Sequence, residues 1–185
     1  MNHVIYLFFI AVVILFGLTA CQKSTKDQLV GTWHCSKTMT VDDETVSIED
    51  TYTNKEDGTY SNVANTTVTC NTEIEGVSVR LVIGLSLKSS GEWTVNGDNE
   101  IVSSPTSTGI KVTSMRYYDP SSGSFLAELT GNELKEASSA FADEMKEDLL
   151  EASTERIIML QENKYVTEET LDDGKKTTIT YNRLR

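Results

Sequence analysis

Hydrophobic side chains are arranged in three different ways along this chain. From Val4 to Leu18 the run is unbroken and carries no charge. A secretory signal needs an apolar core of about 7–15 residues followed by small residues, and a spanning helix needs about 20. The run therefore predicts a signal peptide over residues 1–20, with an uncleaved anchor as the alternative. Residues 21–28 (Cys-Gln-Lys-Ser-Thr-Lys-Asp-Gln) are polar and without period, which predicts a tether reaching at most about 26 Å.

From Leu29 the apolar positions alternate with polar ones, the two-residue period of a strand. Trp33 and Cys35 share one face of a first strand that runs to Val41. A second strand covers Thr45 to Thr53 and a third begins at Thr59, joined through the Asp57-Gly58 turn. Val77, Val79, Leu81, Ile83, Leu85 and Leu87 make the clearest one-sided strand, which predicts one buried and one wet face. Ser89-Ser90-Gly91 marks its end. A short strand at Glu92 to Val95, a turn at Asn96 to Asn99, and strands at Ile101-Val102 and Ile110 to Tyr118 follow.

The period then changes. Leu134, Ala137, Phe141, Met145 and Leu149 recur every three or four residues, which predicts an amphipathic helix near residues 131–152. Thr130 and Glu133 match a capping box. The acidic outer face of this helix suits packing across a sheet better than a membrane surface, where Lys and Arg are favoured. Strand signals return at Ile157 to Leu160, Tyr165 to Leu171 and Thr177 to Leu184.

Charge narrows the partners. With 16 Lys and Arg against 28 Asp and Glu, the net charge is −12, all of it beyond the apolar run. Such a surface is repelled by phosphate backbones and anionic headgroups, so nucleic acid is excluded as a partner. Only Pro105 and Pro120 are present, so no Pro-rich linker divides residues 29–185.

The chemistry-bearing residues are sparse. His34 is the single histidine beyond His3, and a lone strand histidine is more often structural than catalytic. No nucleophile elbow or phosphate-binding loop occurs. The acid pairs Asp42-Asp43, Asp143-Glu144 and Asp172-Asp173 fall in turns or on the helix, where carboxylates are solvated. No paired Cys or His spacing supports a metal site, and no cofactor is implied. Trp93, Tyr117 and Tyr118 read as core residues. These observations point to a non-enzymatic protein.

Two resemblances add to this reading. Leu18-Thr19-Ala20-Cys21 resembles the lipobox of bacterial lipoproteins. The resemblance implies cleavage before Cys21, a diacylglyceryl group on its Sγ, and acylation of the new amine. It also implies attachment to a cell-envelope membrane through that lipid. Gln22 in place of Asp implies, in a Gram-negative envelope, the outer membrane and a position facing the periplasm. With Cys21 lipidated, Cys35 and Cys70 remain as a pair in an oxidising compartment. They form either a disulfide worth about 3–4 kcal/mol or two buried thiols, since an ideal meander sets them at different heights.

The second resemblance is to lipocalin-like, calycin-type barrels. It is carried by Gly31-Thr32-Trp33, by Tyr52-Thr53 with Asp57-Gly58-Thr59-Tyr60, by Gly91-Glu92-Trp93 with Asn96-Gly97-Asp98, and by the closing Thr180-Tyr181-Asn182-Arg183. It implies a mainly β fold, an antiparallel meander closing into a barrel of about eight to ten strands, into which the period of residues 131–152 inserts the helix before the last strands, where a lipocalin's main helix follows them. It also implies that Arg183, or failing it Arg185, covers Trp33 and closes the barrel. The expected function is binding of a small apolar ligand in the barrel, with Val79, Leu81 and Ile83 as candidate lining. The alternative is a protein-interaction module, an envelope assembly factor or a tethered inhibitor.

Overall fold

The computed structural model describes residues 24–41, 44–97, 99–145, 148–170 and 176–185. The apolar leader, Cys21, and the acidic pairs Asp42-Asp43 and Asp172-Asp173 lie outside the described residues.

The chain is mainly β. Nine antiparallel strands run as β1 (Gly31–Val41), β2 (Glu44–Asn54), β3 (Thr59–Ile74), β4 (Val77–Asn96), β5 (Glu100–Tyr118), β6 (Phe125–Glu128), β7 (Ser153–Gln161), β8 (Lys164–Thr170) and β9 (Lys176–Arg183). Their order is β4-β3-β2-β1-β9-β8-β7-β5-β6, and β4 also pairs with β5. The sheet therefore closes into a lipocalin-like ring, with β6 hanging from the far end of β5. A helix, α2 (Gly131–Met145), precedes the last three strands.

The ring has a large half and a small half. Strands β1 to β5 pair along most of their length. Strands β7 to β9 join them through two short seams, Glu100–Ser103 against Ser153–Arg156 and Trp33-His34 against Asn182-Arg183. Both seams lie at one end, the base.

Two expected breaks in the sheet are bulges within continuous strands. Residues Val77 to Val95 form the single strand β4, and Ile101 to Tyr118 fall in the single strand β5. The register shifts at Ser90/Gly91 and at Gly84/Leu85 each leave one extra residue on β5, Thr106 and Thr113. Glycine is needed at the first: a Cβ on Gly91 would overlap the carbonyl of Ser104. Pro105 is tolerated there because a bulge releases it from donating to the ladder. β3 runs on to Ile74, where Glu75 and Gly76 take positive φ (51° and 79°) in a two-residue hairpin turn.

The base is closed by a segment expected to be tether. Thr25–Leu29 forms a short helix, α1, which starts at a Ser24–Asp27 capping box. Leu29 is fully buried. Its carbonyl accepts from Trp33 Nε1 at 2.8 Å and from Asn54 Nδ2 at 3.3 Å. Leu29 and Trp33 pack with Tyr60, Trp93, Ile101, Ile157, Tyr165 and Tyr181 in one core cluster.

Above the base, α2 lies along β5. Leu134, Ala137, Ser138 and Phe141 are half-buried on its inner side. Ser138 Oγ accepts from Val112 N at 3.0 Å, which satisfies a backbone donor beside the Thr113 bulge.

Candidate functional site

The strand register sets the interior out in levels. Trp33, Tyr52, Asn62, Ser89 and Thr108 share the lowest of three successive levels on the large half. Cys35, Asp50, Ala64, Leu87 and Ile110 share the next, and Lys37, Ile48, Thr66, Leu85 and Val112 the one above. From the small half, Tyr165, Tyr181 and Glu155 face the same space.

At the base, the Arg183 guanidinium lies 4.0 Å over the Trp33 ring. Its nitrogens donate to the carbonyls of Val30 (2.7 Å), Gln28 (2.5 Å) and Glu162 (2.7 Å). One side chain thus ties α1, β1 and the β7–β8 turn together. Gly31, at φ 132°, gives the guanidinium room, because a Cβ there would overlap Nη1. Arg183, and not Arg185, takes this place, and it is structural.

Over this base a ladder of aromatic rings leads upward. Trp33 meets Tyr165 edge-on (4.7 Å, 81°), and Tyr165 stacks on Tyr181 (4.4 Å, 13°). Across the barrel Tyr52 stacks on Tyr60 (4.9 Å, 11°). The hydroxyls are engaged: Tyr52 with Ser103 Oγ at 2.7 Å, and Tyr181 donating to Glu155 Oε1 at 3.3 Å. Burial pushes the phenols of Tyr52, Tyr165 and Tyr181 above their ordinary pKa, so all three are neutral at physiological pH.

The interior is not apolar throughout. Asp50 sits on the inner face of β2 and accepts from Asn62 Nδ2 at 2.5 Å. Burial pushes its carboxyl up to about 6, against the opposing pull of that hydrogen bond and of His34. Burial, reinforced by Asp50 and Glu155, pushes the Cys35 thiol up to about 12. Cys35 is therefore no nucleophile at neutral pH.

A cavity of about 280 Å³ opens at the level of Tyr52, between the large half and the β5–β7 seam. Its wall includes Tyr52, Tyr60, Asn62, Ser89, Ser103 and Glu155, and Leu149 of the 3-10 turn Asp148–Leu150 covers one side. Val79, Leu81 and Ile83 do not line it. They share the inner face of β4 farther from the base, and Val79 is buried. The cavity is therefore amphipathic, with tyrosine faces and leucines beside hydroxyls, an amide and a carboxylate, where an apolar lining was expected. Two further depressions lie elsewhere. One is on the outside of the base around Asp57 and Glu92, and one is on α2 alone.

The other sequence-derived candidates are dispersed. Cys21 lies outside the described residues. Cys35 and Cys70 are both free. Cys70 stands on β3 roughly 20 Å along the strand from Ala64, the residue level with Cys35, at about 3.3 Å per residue. A bridge needs Cα atoms within about 7 Å, so the disulfide alternative is corrected to two free thiols. His34 points outward and meets Glu49 at 3.1 Å on the surface. Among the described residues no three His, Cys, Asp or Glu side chains gather as a metal site.

Asp50 and Glu155 escaped the sequence reading, which weighed carboxylates only as neighbours in the chain. A usable signal was present. Asp50 has the parity of Val46, Ile48 and Tyr52, and Glu155 that of Ile157, so each places an acid on an otherwise apolar strand face.

No protein-family model matches the chain, and no curated protein is detectably similar to it.

Proposed function

We propose that this chain is a cell-envelope lipoprotein, held to a membrane by the lipid on Cys21, whose barrel binds a small ligand without enzymatic chemistry. The observation that carries the binding reading is the 280 Å³ cavity above a packed base. Ligand pockets are concave, largely preformed and lined by aromatic faces with a few placed polar groups. The anchor reading rests on the Leu-Thr-Ala-Cys sequence. α1 supports a definite orientation: the chain enters at the closed base, so a lipid on Cys21 holds the base toward the membrane. In a Gram-negative envelope the cavity would open to the periplasm from the outer membrane.

Two measurements test these halves separately. Cys21→Ser should abolish acylation, seen as loss of the lipid mass and of membrane retention; unchanged maturation would refute the anchor. Native mass spectrometry of the full lipoprotein released in detergent should show an added mass that organic solvent removes. Protein of the bare acylated mass would count against a tightly held ligand.

A second reading is favoured by one feature. Ile74, Val77, Phe125 and Leu126 are exposed apolar residues at the far tip of the β3–β4 hairpin and on neighbouring β6, which suits an envelope-protein partner. Cross-linking from that tip to a single protein, with no cavity ligand, would favour this alternative.

A further inference from the structure

We propose that the cavity takes a small organic cation, an amine or quaternary ammonium seated between the Tyr52–Tyr60 pair and the Glu155 carboxylate. This rests on the reading of the cavity as a ligand site and assigns its chemistry.

The first argument is the charge of the wall. Its carboxylates are Glu155 and Glu151. Its one basic residue, Lys88, has the outward parity of β4 and is exposed; the inward neighbours on that strand are Leu87 and Ser89. Lys37 stands two levels above Tyr52, outside the lining. An anion entering here would meet carboxylates, on a protein whose net charge of −12 already repels it.

The rings give the second argument. Trp33, Trp93 and Tyr118 each carry a cation of this chain over the ring: Arg183, Lys26 and Arg80. Among the described residues no such cation stands over Tyr52 or Tyr60, which face the cavity as neutral phenols. Such faces attract ammonium groups, most strongly where water is excluded.

The third argument concerns hydrogen bonds. Asn62 commits its Nδ2 to Asp50, which leaves its Oδ1 as an acceptor beside the cavity. Ser103 and Ser89 add hydroxyl oxygens. The wall is thus rich in acceptors, which suits an ammonium donor. A volume of about 280 Å³ restricts the guest to a small molecule.

The test is titration calorimetry on the full-length lipoprotein in a non-ionic detergent. The probes are choline, putrescine, and 3,3-dimethylbutan-1-ol, the uncharged isostere of choline. At least one cation should bind tenfold or more tightly than the isostere, and Glu155→Gln should remove that preference. The wild-type comparison stands even if the variant does not fold. Equal affinity for choline and its isostere would overturn the cation assignment and leave the ligand site intact. Binding of none of the three would also overturn it, and the native mass spectrum would then decide the ligand site on its own.

Discussion

The base and the mouth of this barrel are built on opposite terms. At the base, Leu29 and Trp33 are fully buried, and the Leu29 carbonyl is matched by Asn54 and Trp33, while Arg183 takes the carbonyls of Val30 and Gln28. One level higher the same strands carry Asp50 and Cys35 inward, and two levels higher Lys37. There burial works against ionisation, and Lys37 Nζ has no hydrogen-bond partner among the described residues. Apolar area removed from water contributes about 25 cal/mol per Å², whereas a buried carboxyl without full compensation costs stability. The base thus holds the ring closed, and the levels above it carry buried polar groups at a cost in stability. A domain held by one end can keep a costly polar interior at the other.

The largest expected effect comes from breaking the base. Trp33→Ala removes the ring beneath Arg183 and against Tyr165, and should cost about 3–5 kcal/mol, read as a lower denaturation midpoint in urea. A loss below about 1 kcal/mol would mean that the seam between β1 and β9 does not depend on that contact.

Asp50→Asn sharpens the contrast with the opposite sign. The folded carboxyl titrates near 6, above its ordinary value of 3.8. Its contribution to stability is therefore fully present below pH 3.8 and is lost as the pH rises through 6. The amide keeps an acceptor for Asn62 and never ionises. The variant should be more stable than the parent by about 2–3 kcal/mol at pH 8 and no more stable at pH 3.5. Urea unfolding at both values measures this, and a pH-independent difference would refute the titration.

A smaller effect is expected where α2 meets the sheet. Ser138→Ala leaves the Val112 N–H, beside the Thr113 bulge, without its acceptor, and should cost about 1–2 kcal/mol. Amide exchange at Val112 should quicken at the same time; unchanged protection would show that the helix is not held there.

What could be read from the chain alone was whatever depends on local period. The two-residue alternation from Val77 to Leu87, the Asp57-Gly58 turn and the three-to-four spacing from Leu134 to Phe141 each specify an element by which face its apolar side chains occupy. The Gly-Thr-Trp start and the late Arg183 were legible only through the resemblance to lipocalin-like barrels, which implies a contact between the first and last strands. Other features depended on how strands align across the sheet. Ser89-Ser90-Gly91 reads as a break, yet its pairing with β5 turns it into a bulge. Thr25 to Gln28 reads as tether because it is polar and without period, yet it forms a helix with Leu29, which the open end of the barrel buries. Cysteine parity left a bridge or free thiols equally open, and only the register separated Cys35 from Cys70. The candidate site belongs to this second class. Tyr52 and Glu155 are far apart in the chain and come to one cavity because ring closure sets β2 and β7 across a common interior, and no local pattern encodes that distance.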